Sequence, residues 1–425
     1  MTGVLGRRTA VSNLVAQGTA LGVVSLASLI VARTGGAAVL GEYTLLRVLP
    51  WLVGVVTSAG LPIASSYFLG ARGGDRALRP TLAALAAASG VLTVGVWMAL
   101  VPVLHVVLLD RVPSALLVVI GITGVTQLWT VWAKACCQGA ADIRGANLII
   151  VCEELMFLPA YGAALAVGLR DIEAVVAGMV GGGIAATLIA FGWLVRTGFL
   201  RGWSRPEVPL ARSVLGYGAR GQLGNLLWLV NLRLDFLILG ALAGPATLGV
   251  YAVASKFAEL MRLPATALNY VLYPRFTRQE PLSAWLDARR LLKRACVFTI
   301  AGAPVLAALS VVALPLLFGS RFDSAVLPAC LLLVGLSVEG AAAVGSAYLW
   351  GSGRPGANSV AMGVGVVLTV VFDLLLIPSH GAPGAAVASS IAYLGTAGLL
   401  TVLTVRGGRR LDAASTSAIS HGAPA

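Results

Sequence analysis

Charge is what this chain has least of. Of its 425 residues only 11% are charged and just 17 are acidic, where soluble domains carry roughly 25% charge. A water-soluble surface cannot be covered with so few. The three histidines, His105, His380 and His421, are too dispersed to suggest a Ser/His/Asp or Cys/His catalytic grouping or a histidine metal site. The five cysteines (Cys136, Cys137, Cys152, Cys296, Cys330) are odd in number and fall in or beside apolar runs without metal-ligand spacing. They read as packing residues, and no metal or other cofactor is expected. No G-x-x-x-x-G-K-[ST] element occurs, so ATP hydrolysis through a P-loop is excluded. The formal charge of +13 comes from arginines in short connectors, with no basic face carrying interleaved aromatics. Nucleic acid is therefore not an expected partner.

Apolar sequence is what the chain has in abundance, at 58% hydrophobic residues and a mean hydropathy of +0.91. Runs of about 20 apolar residues, each able to cross a hydrocarbon core of roughly 30 Å as a helix, recur along its length. In lipid every backbone polar group must be paired internally, so such runs are helices. We place spans at 9–32, 44–70, 81–104, 114–139, 147–169, 174–195, 214–240, 246–273, 295–318, 326–350, 358–378 and 385–405. The 51 glycines fit this class, because small residues let membrane helices approach closely. Arg7 and Arg8 precede a run too long for a signal-peptide core and without a cleavage pattern, so the first segment is expected to stay as a helix.

Orientation follows from the basic residues. Outside the spans, every Lys or Arg falls at a terminus or in an even connector except Arg33, Arg111, Arg170 and Arg321. Even connectors and both termini are expected in the cytoplasm of a multi-pass cell-membrane protein. The chain also repeats itself. Gly36, Leu40, Gly41 and Tyr43 recur 208 positions later as Gly244, Leu248, Gly249 and Tyr251, and Phe68 recurs as Phe276. Gly145-Ala146-Asn147 recurs 211 positions later as Gly356-Ala357-Asn358. A duplicated six-helix unit inserts the same way up twice, giving parallel repeats about an axis along the membrane normal. The expected fold is thus an all-α integral membrane protein of about twelve spans in two lobes related by a pseudo-twofold axis. Residues 1–196 form the first lobe, 197–213 a cytoplasmic linker, 214–406 the second lobe and 407–425 a disordered tail.

Charged residues inside spans are costly and tend to face a bundle interior or a wet cavity. Lys134 and Arg220 lie close enough to the cytoplasmic end to snorkel. Lys256, Glu259 and Arg262 form one stripe on the eighth span, either an ion-pair ladder or a cavity wall able to hold phosphate oxygens. Arg47 has no acid three or four positions away, so it needs a partner from another helix or from a substrate. Asn13 and Gln17 on the first span, and Gln222, Asn225 and Asn231 on the seventh, either bond helices together or offer donors and acceptors to sugar hydroxyls. Glu153, Glu154, Glu339 and Asp373 are candidates for ion coupling, although adjacent glutamates point about 100° apart on a helix. Gly216, Gly218 and Gly221 spell G-x-G-x-x-G, but without a preceding strand or a βαβ unit, so helix entry and close packing explain them.

Leu40-Gly41-Glu42-Tyr43, Leu61-Pro62, Leu215-Gly216-Tyr217-Gly218, Asp235 with 237–240, Leu248-Gly249-Val250-Tyr251 and 272–276 together resemble one family. It is the polysaccharide transporters, or oligosaccharide-lipid flippases, of the multidrug/oligosaccharidyl-lipid/polysaccharide exporter superfamily. The resemblance implies a non-enzymatic transporter that moves a polyprenyl-diphosphate-linked glycan from the inner to the outer leaflet by alternating access. It implies a cationic cavity to which Arg47, Lys256, Arg262 and Arg233 contribute, with Asn13, Gln17, Asn225 and Asn231 beside them. Coupling is then expected at Glu153, Glu154, Asp235, Glu339 or Asp373, and a polymerase or ligase is an expected partner beside membrane lipids. A cation-coupled multidrug or small-metabolite exporter of the same superfamily typically carries a carboxylate on its first span, and residues 9–32 hold none. A membrane-embedded glycosyltransferase or ligase needs a sizeable outer loop, and the outward connectors here are short.

Overall fold

The computed structural model describes residues 2–72, 75–199, 205–264, 272, 275–277 and 279–420, and the described chain is helical without strands. The helices are α1 (Thr2–Thr57), α2 (Leu61–Arg72), α3 (Leu78–Val107), α4 (Ser114–Gly139), α5 (Ile143–Leu155), α6 (Phe157–Ala166), α7 (Asp171–Arg196) and α8 (Val208–Ala258). After a short 3-10 turn at Glu259–Met261 follow α9 (Pro281–Phe318), α10 (Val326–Leu336), α11 (Glu339–Gly351) and α12 (Pro355–Ser420). Among the described residues, eight helical stretches are long and apolar enough to cross a membrane, or nine if α10 and α11 make one bent span.

The difference from twelve expected spans has a physical cause. Connectors read from the sequence as loops are helical up to a single glycine. In α1 the break is at Gly36 (φ 79°, ψ −170°), in α8 at Gly244 (φ 79°, ψ 170°) and in α12 at Gly381 (φ 54°, ψ −128°). A straight 56-residue helix would be about 84 Å long, more than twice a hydrocarbon core, so it must turn. The conformation at Gly36 and Gly244 is open essentially only to glycine. These two residues are the pair separated by 208 positions, so the duplicated motif is a duplicated helix break.

The chain divides into two compact units, residues 1–226 and 227–425. In the first, α4 packs on α1, α2, α3, α5 and α7. One core cluster there gathers Leu61, Leu78, Leu82, Trp132, Cys136, Ile149, Leu194 and Val214. In the second, α9, α11 and α12 pack together, with Trp285, Val344 and Tyr348 among their buried residues. Val297, Phe298 and Leu316 of α9 are more than half exposed, as expected of a lipid-facing helix. The first turn of α8 begins at Val208, within the residues read from the sequence as a linker, and α12 runs to Ser420, through most of those read as a tail. Residues 409–420 contain neither Gly nor Pro, so nothing in them stops the helix.

Candidate polar clusters within the spans

In the first unit, α5 is wedged between α1 and α4, and its two glutamates find one cation on each. Arg47 on α1 donates from Nη2 to both carboxylate oxygens of Glu154, at 2.7 and 2.6 Å, and from Nη1 to the hydroxyl of Tyr43 at 3.1 Å. Lys134 on α4 donates to Glu153 at 3.0 Å. Adjacent glutamates pointing in different directions are therefore both charge-paired, because the flanking helices present cations on two sides. Arg47, left without a partner in the sequence reading, has one from another helix. The side chains of Arg47 and Glu154 retain 31% and 23% exposure, so the pair is not sealed inside the helix packing. The Tyr43 ring beneath it is buried, 5.3 Å from the ring of Phe157.

Asn13 and Gln17 form an interhelical ladder. Gln17 donates to Asn13 at 2.7 Å, Asn13 to Asn147 at 3.0 Å, and Asn147 to Ser12 at 2.9 Å. Asn147, the anchor of this ladder on α5, was visible in the sequence only as part of the Gly-Ala-Asn repeat. The side chains of Asn225, Asn231 and Glu339 lie outside the described residues.

In the second unit, the expected stripe runs from the end of α8 through the 3-10 turn that follows it. Glu259 lies within 3.5 Å of Arg233, which belongs to the first arm of α8 before the Gly244 break, and the Arg233 guanidinium lies over the Phe236 ring. Arg262 lies over the ring of Tyr393, 4.7 Å from its centroid, and Lys256 is half-buried. Asp235 is buried and is not held by Arg233 directly. It accepts from the Tyr251 hydroxyl at 2.6 Å and the Phe236 amide at 2.9 Å, with Ser389 at 3.4 Å. Asp373 on α12 is fully buried, and neither of its oxygens has a hydrogen-bond partner among the described residues. Tyr251 and Ser389 were not singled out in the sequence, although Tyr251 is the repeat partner of Tyr43. The duplicated tyrosine has diverged in role: one accepts from a cation and the other donates to an acid. Among the described residues no group of three or more His, Cys, Asp or Glu is placed to hold a metal.

A family model described as "Polysaccharide biosynthesis protein" matches residues 80–327, more than half of the chain. The chain belongs to this family. A search of curated proteins finds no match for this polysaccharide biosynthesis protein. Solved structures match its fold over nearly its whole length. The lipid II flippase MurJ in an inward closed conformation has a TM-score of 0.72 at 13% identity, covering 94% of this chain and 87% of that one. An inward-facing multidrug resistance MATE family transporter of the MOP superfamily has a TM-score of 0.70 at 15% identity, covering 95% and 99%. A eukaryotic MATE transporter gives 0.62 at 14% identity, covering 95% and 98%. The resemblance read from the sequence stands: a polysaccharide biosynthesis family member with the fold of these transporters.

Proposed function

We propose that this protein flips a polyprenyl-diphosphate-linked oligosaccharide from the inner to the outer leaflet for surface polysaccharide assembly, by alternating access. The observation that carries the reading is the family match together with a cation, Arg47, held at a partly exposed position inside an apolar helix. Charged diphosphate needs such a group when it leaves the water, because an uncompensated charge in hydrocarbon is costly. Arg47 is assigned to the diphosphate, Lys256, Arg262 and Arg233 to further contact with phosphate or glycan, and Asn13, Gln17, Asn225 and Asn231 to sugar hydroxyls. Asp235 and Asp373 are the preferred coupling pair. Both carboxylates are buried in the second unit, and Asp373 has no hydrogen-bond partner among the described residues, so it is placed to take a cation or a proton.

Deleting the gene is expected to abolish a surface polysaccharide while lipid-linked repeat units accumulate on the cytosolic side. Restoring the gene with Asp373→Asn is expected to return surface glycan without its dependence on an ion gradient. A deletion strain with normal surface glycan and greater sensitivity to cationic drugs would instead support a cation-coupled multidrug exporter. The similar fold of the MATE transporter is what favours that second reading.

Topology is part of the proposal. Reading each glycine break as a turn between two spans, and the second arm of α1 with α2, α5 with α6, and α10 with α11 as one bent span each, gives twelve crossings in two six-helix lobes with both termini cytoplasmic. Reporters fused after Arg76, Arg205 and Lys293 are expected to read cytoplasmic, and those after Asp110, Asp171 and Asp323 external. One inverted reporter defeats the twelve-span assignment.

A further inference from the structure

The Arg47 cluster carries an inference that rests on the diphosphate reading and extends it. Its two cations, Arg47 and Lys134, already face two carboxylates, Glu154 and Glu153, so the cluster is formally neutral at rest. A diphosphate linking a polyprenol to a sugar carries two negative charges at neutral pH. It cannot add to a neutral cluster without competing with the carboxylates for the same N–H donors. Glu154 presents both of its oxygens to one guanidinium nitrogen, so it occupies donors that a phosphate oxygen would need.

We infer that Glu154 is an intramolecular stand-in for substrate phosphate: it holds Arg47 in the empty transporter, yields it when the diphosphate binds, and returns to displace the diphosphate for release. Two further contacts suit this exchange. The Tyr43 hydroxyl holds the other terminal nitrogen of Arg47, so the guanidinium keeps its place while Glu154 moves. Partial exposure of both members of the pair leaves room for an entering oxygen. Glu154 is thus a residue that sets the balance between binding and release, and it need not touch the substrate.

The test measures binding of a polyprenyl diphosphate, with polyprenol as the uncharged comparison, to purified full-length protein, and flipping in reconstituted vesicles. Glu154→Gln is expected to bind the diphosphate about tenfold more tightly, the effect of removing one charge-assisted competitor. It is also expected to flip more slowly, so that KM and kcat fall together. A purely structural ion pair predicts the opposite for binding. Glu154→Asp keeps the charge but draws it back by one methylene, and an intermediate tightening is expected. If either variant, at wild-type abundance and melting temperature, binds the diphosphate no more tightly than wild type, the stand-in role is overturned while the flippase reading survives. Should wild type bind diphosphate and polyprenol alike, the diphosphate reading fails and the inference fails with it.

Discussion

Replacing Arg47 by alanine is expected to reduce flipping by about ten- to a hundredfold while the protein still inserts in the membrane. The estimate follows from one charge-assisted hydrogen bond to phosphate, contributing about 1.5 to 3 kcal/mol. The same substitution leaves Glu154 without its partner on α1. Because that carboxylate is only 23% exposed, a stability loss of about 1 to 3 kcal/mol is expected to accompany the loss of transport. The two effects separate by experiment. Abundance and melting temperature report the structural part, and flipping normalised to protein amount reports the functional part. Arg47→Lys is expected to recover only a fraction, since one ammonium cannot reproduce two terminal nitrogens aimed at Tyr43 and Glu154 simultaneously. The double variant Arg47→Ala/Glu154→Gln restores charge balance without a phosphate-binding group. It is expected to regain stability and to remain unable to flip. Normal transport by Arg47→Ala at normal abundance would make Arg47 a helix tether and nothing more.

These contrasts mark where the sequence was legible. Hydropathy and the placement of arginine are enough to read a many-span helical membrane protein, because lipid permits so few backbone solutions. The 208-residue repeat was equally visible, and its most informative member, the Gly36 and Gly244 pair, is where the backbone conformation demands glycine. Less visible was that helices run up to those glycines, since hydropathy falls in a connector whether it is helical or not. Pairing was the least legible feature. Arg47 and Glu154 are 107 positions apart, and no pattern within α1 signals a partner on α5. The Lys256, Glu259 and Arg262 stripe was legible as a spacing, but the contact of Glu259 with Arg233 was not, because Arg233 lies on the other arm of α8, beyond the Gly244 break.

The G-x-G-x-x-G of α8, read from sequence as a packing device, leads to the most discriminating substitution pair. Between α1 and α2 the helix is interrupted at Ala59 (φ 46°) and Gly60 (φ 74°), both in the left-handed region. The Ala59 amide turns to Val56, and the Val55 carbonyl is satisfied instead by the side chains of Ser58 and Gln222, each at 2.7 Å. That leaves the backbone of the break lying directly on α8. A Cβ on Gly60 would sit 2.2 Å from the Gly218 carbonyl oxygen, and one on Gly218 would sit 2.6 Å from that of Ala59. Main chain on main chain cannot yield by changing rotamer, and nearby Tyr67 and Tyr217, stacked at 4.3 Å, seal the same joint. Gly60→Ala combines left-handed strain of about 1 to 3 kcal/mol with overpacking of similar size. It is expected to cause the largest loss of stability of any single methyl addition in the first unit. Gly218→Ala carries the overpacking alone and is expected to be intermediate. Gly216→Ala is the internal control, since nothing lies within 4 Å of its Cβ position and alanine is the better helix former by about 1 kcal/mol. Melting temperatures of the three purified variants in detergent are expected to fall in the order Gly216→Ala, Gly218→Ala, Gly60→Ala, from wild-type-like to severely lowered. If Gly218→Ala melts like Gly216→Ala, the joint between the α1/α2 break and α8 is not closed in the dominant state of the protein.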